Sequence, residues 1–203
     1  MRARTSKRIF RKIDTNIEQV PLYLYQCYKY EVEQRGREMV YDDATKFHIE
    51  KCADWLTNPK TKMGIVLYGK IGSGKTTLAL AICRLIGFLY NSPFEDERKF
   101  VRKVTANKLA QLSKNYVETF EIFKREKILF IDDVGTEPAA VKYYGNEINP
   151  FVDVFLERYD RQLVTILSTN LEQNELNERY GARVANRFVE MFNFLGFENP
   201  SYR

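Results

Sequence analysis

The sequence predicts an α/β fold, a parallel sheet covered by helices on both faces with a short helical extension before it. Three observations predict it. Continuous apolar runs, "GIVLY" at 64–68, "KILFID" at 127–132 and "LVTILSTN" at 163–170, read as strands buried on both sides. Stretches of helical spacing separate them. The junction after the first run, "GKIGSGKTT" at 69–77, packs three glycines into a strand-to-helix transition.

The elements follow in order. In "VPLYLYQCYKYEVEQRG" (20–36), Leu24, Tyr28 and Val32 share a helical stripe and Gly36 ends it. The stripe either packs on the domain or forms a partner-binding surface. Asp42 or Asp43 caps a second helix whose Phe47, Cys52 and Trp55 turn inward, before Asn58 and Pro59 stop it. His48, the only histidine, reads as structural or surface, because no second ligand or nucleophile accompanies it. "KTTLALAICRLIGFLY" (75–90) is helical and "KFVRKVTA" (99–106) is a strand. "NKLAQLSKNYVETFEIFKRE" (107–126) reads as one long helix with Leu109, Leu112, Tyr116 and Phe120 on one face. "EINPFVDVFLERYDR" (147–161) contains a helix, and "NERYGARVANRFVEMF" (177–192) reads as another.

Composition bounds the function. The 203 residues suffice for one good-sized domain plus an appendage, and a hydrophobic share of 44% provides for a packed core. No apolar stretch approaches the roughly 20 residues that span a bilayer. No apolar segment follows the basic N-terminus, so a secretory signal is not expected. Cys27, Cys52 and Cys83 lie far apart, which argues against a zinc site and a disulfide framework and places the expected location in the cytoplasm. Residues 1–13 hold six of the positive charges and no acid; removing them turns a net charge of +5 into −1. The basic tail is either a solvated end or an arm for nucleic acid or an acidic partner.

The chemistry begins at the glycines. Gly69, Gly74, Lys75 and Thr76 fit G-x-x-x-x-G-K-[ST] between a strand and a helix, the pattern of a phosphate-binding loop. Glycines let backbone N–H groups wrap a phosphate, and the helix N-terminus adds unpaired donors and the positive end of its dipole. The nucleotide-binding residues expected here are Gly69, Lys70, Ile71, Gly72, Ser73, Gly74, Lys75, Thr76 and Thr77. Lys75 would reach the β and γ phosphates of ATP, and Thr76 would ligate Mg²⁺. The metal needs an acid at a neighbouring strand end, and Asp132 supplies it, directly or through water. Asp133 is placed to orient or deprotonate an attacking water. Asn170 ends the next strand and either bonds the γ-phosphate or the water, or simply forms a turn. Arg183 and Arg187 share a helix face, with Val184, Phe188 and Met191 as the offset anchoring face. The arginines either reach a neighbouring subunit's γ-phosphate or form a solvated face paired with Glu178 or Glu190.

Strand, loop, "LFIDDVG" (129–135), "TILSTNL" (165–171), "YGARVANRF" (180–188) and the final "SYR" (201–203), in that order, resemble an AAA+ ATPase of the helicase-loader branch, the DnaC and IstB-like proteins. The resemblance covers residues 43–203. It implies a three-layer P-loop NTPase (AAA+) core with a five-stranded parallel sheet and little or no helical lid, preceded by a partner-binding segment at 1–42. It implies that Arg187 is an arginine finger acting in trans and that Arg203 is the second sensor. It implies an oligomer or mixed assembly through the Arg183/Arg187 face. The activity implied is loading of a replicative DNA helicase on single-stranded DNA. Asp133 stands where many such proteins carry a glutamate, so hydrolysis is expected to be slow, with Glu137 close enough to contribute. The segment "TEPAAVKYYGNEINP" (136–150) carries no obvious chemistry and reads as an edge of the nucleotide or subunit site. Arg102, Lys103, Lys108 and Lys114 either line a DNA path or are simply solvated. Three other readings share the loop. One is an IstB-like accessory ATPase acting with a transposase. Another is a small nucleotide kinase, which would need an arginine-rich lid that the sequence does not show. The third is a nucleotide-switched binding module that barely hydrolyses.

Overall fold

The structure, a computed structural model, describes residues 17–90, 101–143 and 146–202; the basic tail and Arg203 lie outside the described residues. In chain order, α1 (Val20–Glu33) and α2 (Asp43–Thr57) precede β1 (Gly64–Gly69) and α3 (Lys75–Tyr90). Then come β2 (Arg102–Thr105), α4 (Ala106–Asn115), α5 (Val117–Arg125) and β3 (Ile128–Val134). A hairpin of β4 (Val141–Tyr143) and β5 (Asn146–Ile148) leads to α6 (Pro150–Asp160) and β6 (Val164–Thr169). The sequence continues through α7 (Gln173–Tyr180), α8 (Ala182–Met191) and β7 (Phe192–Phe197).

The main sheet runs β2-β3-β6-β1-β7, all parallel. Its alternating apolar residues divide between two layers. Ile65, Leu67, Ile128, Phe130 and Ile166 pack with α1, α2 and α3. Val66, Leu129, Ile131, Leu167 and Phe192 pack with α4, α5, α6 and α8. Period-two alternation with apolar residues at both phases is what a sheet sandwiched between helical layers requires. Arg158 and Thr165 interrupt the apolar layer and satisfy each other. Arg158 is fully buried, donating to the Thr165 hydroxyl at 2.9 Å and to the carbonyls of Phe123, Glu126 and Val164. One guanidinium thus ties the end of α5 to the strand entering the sheet.

The helix expected over 20–36 forms, and its stripe packs on the domain: Val20, Leu24 and Tyr28 are buried in the core with α3. A leucine as buried as Leu24 contributes about 2 kcal/mol. Asp42 is the cap of α2, accepting the Thr45 N–H at 2.8 Å. Cys52 and Trp55 turn inward as expected, but Phe47 is 48% exposed. His48, next along the helix, takes the inward place and stacks on Phe197 with centroids 3.8 Å apart.

Three expectations are corrected. The long helix at 107–126 is two, broken at Tyr116 (φ −143°, ψ 64°), whose ring is exposed rather than on the apolar face. The break changes the phase, so that Phe120 and Phe123 both reach the core. The helix expected over 177–192 is also two, because Gly181 adopts φ +83° between α7 and α8. Its final residue, Phe192, instead begins β7, the fifth strand of the sheet.

Candidate functional site

The sheet order brings the site together. β6 lies between β1 and β3, so the residue following β6 sits between the glycine loop and the acid pair. The β3–β6 register shifts between Ile131 and Val134, and Asp133 within that irregularity takes φ +55°. Its N–H donates to the Ser168 hydroxyl at 3.1 Å, and Ser168 donates to Asp132 Oδ1. Thr76 also donates to that oxygen, at 3.0 Å. The first turn of α3, the end of β3 and the end of β6 thus meet on one carboxylate.

The loop is shaped by close approaches. At Gly69 a Cβ would lie 2.3 Å from the carbonyl oxygen of Phe197, so β7 packs directly on the loop's first residue. At Gly74, φ is +99° and a Cβ would lie 2.7 Å from the Tyr28 hydroxyl. Lys75 is buried and folds over the loop, donating to the carbonyls of Gly69 at 2.7 Å and Lys70 at 2.6 Å. The Tyr202 N–H donates to the Gly72 carbonyl at 3.0 Å, while its hydroxyl donates to the Asp42 carboxylate. Burial and the nearby Tyr202 and Asp42 push the Tyr28 phenol up to about 12, so both tyrosines stay neutral near pH 7.

A cavity of about 660 Å³ opens over this junction, large enough for a nucleotide. Gly72, Gly74, Lys75, Thr76, Thr77, Asp132, Asp133 and Asn170 line it. Sequence reasoning had singled out all eight. It missed the wall built by α1 and the irregular segment after it: Tyr28, Val32, Arg35, Arg37, Glu38, Met39 and Val40. The available signal was the "QRGR" cluster at 34–37, cations beside a helix-ending glycine.

The donor set fits ATP with Mg²⁺. Thr76 and Asp132 offer hard oxygens at the end of the loop, and Mg²⁺ ordinarily takes one or two protein oxygens together with substrate phosphates and water. Among the described residues no group of three or more His, Cys, Asp or Glu side chains is placed to hold a metal ion. Among the described residues no helix is long and apolar enough to cross a membrane.

Glu137 is corrected. It is buried away from the cavity lining, accepting from the Gly135 N–H at 2.8 Å and the Tyr180 hydroxyl at 2.6 Å, with Arg179 3.5 Å away. It braces the loop after β3 against α7. The segment 136–150 contributes Thr136 to the cavity and then forms the β4–β5 hairpin. Val184, Phe188 and Met191 anchor α8 as expected. Arg183 is exposed, and Arg187 lies outside the chain's own cavity, its guanidinium 5.2 Å from the Tyr159 ring centroid. Glu190, offered as its acidic partner, instead accepts from the Tyr159 hydroxyl. All three cysteines are free thiols. Burial raises each thiol's pKa, that of Cys83 to about 12.

Comparison with known proteins agrees with this architecture. No curated protein sequence matches the chain. Among solved structures, "Crystal Structure of the DnaI" aligns with a TM-score of 0.59 at 19% identity, covering 78% of this chain and 87% of that one. "Crystal structure of the DnaC helicase loader" aligns with a TM-score of 0.58 at 19% identity, covering 79% and 93%. "Replication initiator DnaA bound to AMPPCP and single-stranded DNA" aligns with a TM-score of 0.56 at 19% identity, covering 80% of this chain and 49% of that one. At these identities the likeness is one of fold. The family model for the ATPase family associated with various cellular activities (AAA) matches residues 65–193, from β1 into β7. With that match spanning the loop, the acid pair and the arginine helix, the chain belongs to the AAA family of ATPases.

Proposed function

We propose that this protein binds ATP with Mg²⁺ in the cavity over Lys75 and Asp132, hydrolyses it slowly, and uses it to load or remodel a replicative DNA helicase on single-stranded DNA. The observation that carries the nucleotide reading is the meeting of Thr76 and Asp132 at 3.0 Å beside the buried Lys75. Lys75 would exchange the carbonyls of Gly69 and Lys70 for phosphate oxygens, a charge-assisted contact stronger than the one it leaves. Bound Mg²⁺ would neutralise charge on the β and γ phosphates. Thr76 and Asp132 hold the oxygens that would receive the metal. Asp133, aimed by its left-handed backbone, is the proposed base or water-orienting group, and Asn170 the γ-phosphate sensor. Glu137 is engaged elsewhere, and an aspartate rather than a glutamate stands at 133, which supports slow turnover accelerated by a partner.

The role in helicase loading rests on the resemblance of the ordered motifs to loaders and on a fold shared with DnaI and DnaC. Residues 1–42 are proposed as the partner-binding segment and 43–203 as the ATPase core. The inner face of α1 is committed to the core, leaving Leu22, Tyr30 and Tyr41 exposed for a partner. Arg183 and Arg187 are proposed to face the nucleotide of an adjoining subunit in a homo-oligomer or mixed oligomer, in the cytoplasm. An IstB-like role beside a transposase uses the same core with another partner.

The test is ATP turnover with and without single-stranded DNA, together with capture of the native partner in ATP. Turnover unaffected by Lys75→Ala would reject the site. Capture of a transposase rather than a helicase would replace the loading role with the transposition one. The slow Asp133 also favours a second reading, a nucleotide switch reset by release; single-turnover hydrolysis slower than ADP or ATP dissociation would select it.

A further inference from the structure

We propose that Arg35, carried by the turn that ends α1, is a phosphate-binding residue of this cavity and closes it on the α-phosphate side of a nucleoside di- or triphosphate. The inference rests on the nucleotide reading above and adds to it a ligand-contacting cation from outside the loop and strand motifs.

Arg35 lines the same cavity as Lys75 and Asp132, and its Nη1 donates to the Thr77 hydroxyl. Thr76 and Thr77 are consecutive on the first turn of α3, and their side chains diverge. Thr76 turns to Asp132 and Thr77 turns to Arg35. The two hydroxyls therefore mark two sides of one cavity. The acids define the side where the metal and the terminal phosphate belong. Arg35 stands on the other, where the phosphate chain continues toward the nucleoside.

Its partners are poor for a cation. Among the described residues no carboxylate pairs with Arg35 or with Arg37 beside it. A guanidinium presents five N–H donors in a planar fork, and a neutral hydroxyl uses one. Phosphate oxygens match that fork in both charge and geometry.

The arginine is also held in place. The Arg35 N–H donates to the Val32 carbonyl at 3.0 Å and the Gly36 N–H to Glu33 at 2.9 Å, with Gly36 at φ +66° completing the turn. Behind it, α1 is fixed on α3 by buried Leu24 and Tyr28 and by Arg84 paired with Glu31 at 2.7 Å. Arg35 therefore projects from a packed helix end. A phosphate held there would link nucleotide occupancy directly to the segment before the ATPase core.

The test is calorimetric titration of the full chain with ATP and with ADP, both with Mg²⁺, for wild type, Arg35→Ala, Arg35→Lys and Lys75→Ala. Arg35→Ala is expected to weaken ATP and ADP by the same factor, about 10- to 100-fold, because both carry the α-phosphate. Arg35→Lys restores part of the loss. Lys75→Ala costs ATP more than ADP, and the melting temperature of nucleotide-free Arg35→Ala stays at the wild-type value. An Arg35→Ala protein that binds ADP as wild type does would overturn the assignment. So would a lowered nucleotide-free melting temperature with no recovery in Arg35→Lys. Wild-type protein that binds neither nucleotide would overturn the nucleotide reading itself, and the role of Arg35 with it.

Discussion

The side-chain amide of Asn199 donates to the backbone carbonyl of Ser73 at 3.1 Å, tying the segment after β7 to the middle of the phosphate loop. Both residues are buried, so the carbonyl has no ready replacement donor in water. Asn199→Ala is expected to cost about 1–3 kcal/mol of stability. It should also lower nucleotide affinity severalfold, because the same C-terminal segment holds the loop through the Tyr202 N–H on the Gly72 carbonyl. Denaturant unfolding and nucleotide titration of the same variant check both effects.

Asp132→Asn keeps the size and a hydrogen-bond acceptor for Thr76 and removes the charge. The expected outcome is a loss of Mg²⁺-dependent affinity on the order of 10–100-fold, with ATP affinity in a chelator unchanged or improved. Titration with and without Mg²⁺ reads the difference. Equal loss in both conditions would mean that the carboxylate shapes the loop rather than holding metal.

Arg187→Ala should reduce turnover far more than nucleotide affinity, since the side chain lies outside its own subunit's cavity. Mixing Arg187→Ala with Lys75→Ala protein should restore part of the activity, because the Lys75→Ala subunit lends its arginine to the intact loop of the Arg187→Ala subunit. Full activity of Arg187→Ala in a dilute monomer would reject action between subunits.

The loop, the acid pair and the strand carrying Asn170 were legible because each joins an apolar run to a short, chemically restricted signature. The parts that were not legible depend on partners distant in sequence. Gly181 and Tyr116 lie inside patterns that satisfy helical periodicity, and only packing of the following segment fixes the break. β7 is short, follows a helix without an intervening turn, and is a strand because β1 is beside it. Glu137 is close to Asp133 in sequence, yet the hydroxyl of Tyr180 draws it away from the cavity. The wall at Arg35 came from a segment that the motifs do not reach.

The Glu137 network should behave as a unit. Tyr180→Phe removes one bond to a buried carboxylate and is expected to cost about 1–2 kcal/mol. Glu137→Ala strands Arg179 without its acid and is expected to cost about 3–5 kcal/mol. The double variant should lose less than the sum, because the second change finds its contact already gone. Thermal unfolding of the three variants completes the cycle.

His48 provides a pH signature. Its Nε2–H donates to the Gly196 carbonyl at 3.0 Å. Burial lowers its pKa below the ordinary 6.5, only partly offset by that bond and by the charge of Asp42. The unfolded chain therefore binds a proton that the fold resists. This contribution to stability is fully present above about pH 6.5 and is lost as pH falls through the folded-state value. Melting curves from pH 8 to 5 should show a decline that His48→Gln flattens.

The placement of β1 between β6 and β7 has a consequence for how the protein is made. Both neighbours of the strand that launches the phosphate loop are encoded far downstream, so a ribosome delivers the loop long before anything can flank it. Pairings of such long sequence separation form late and slowly. A nascent chain stalled ahead of β7 thus carries the entire glycine signature without the Phe197 backbone that Gly69 abuts.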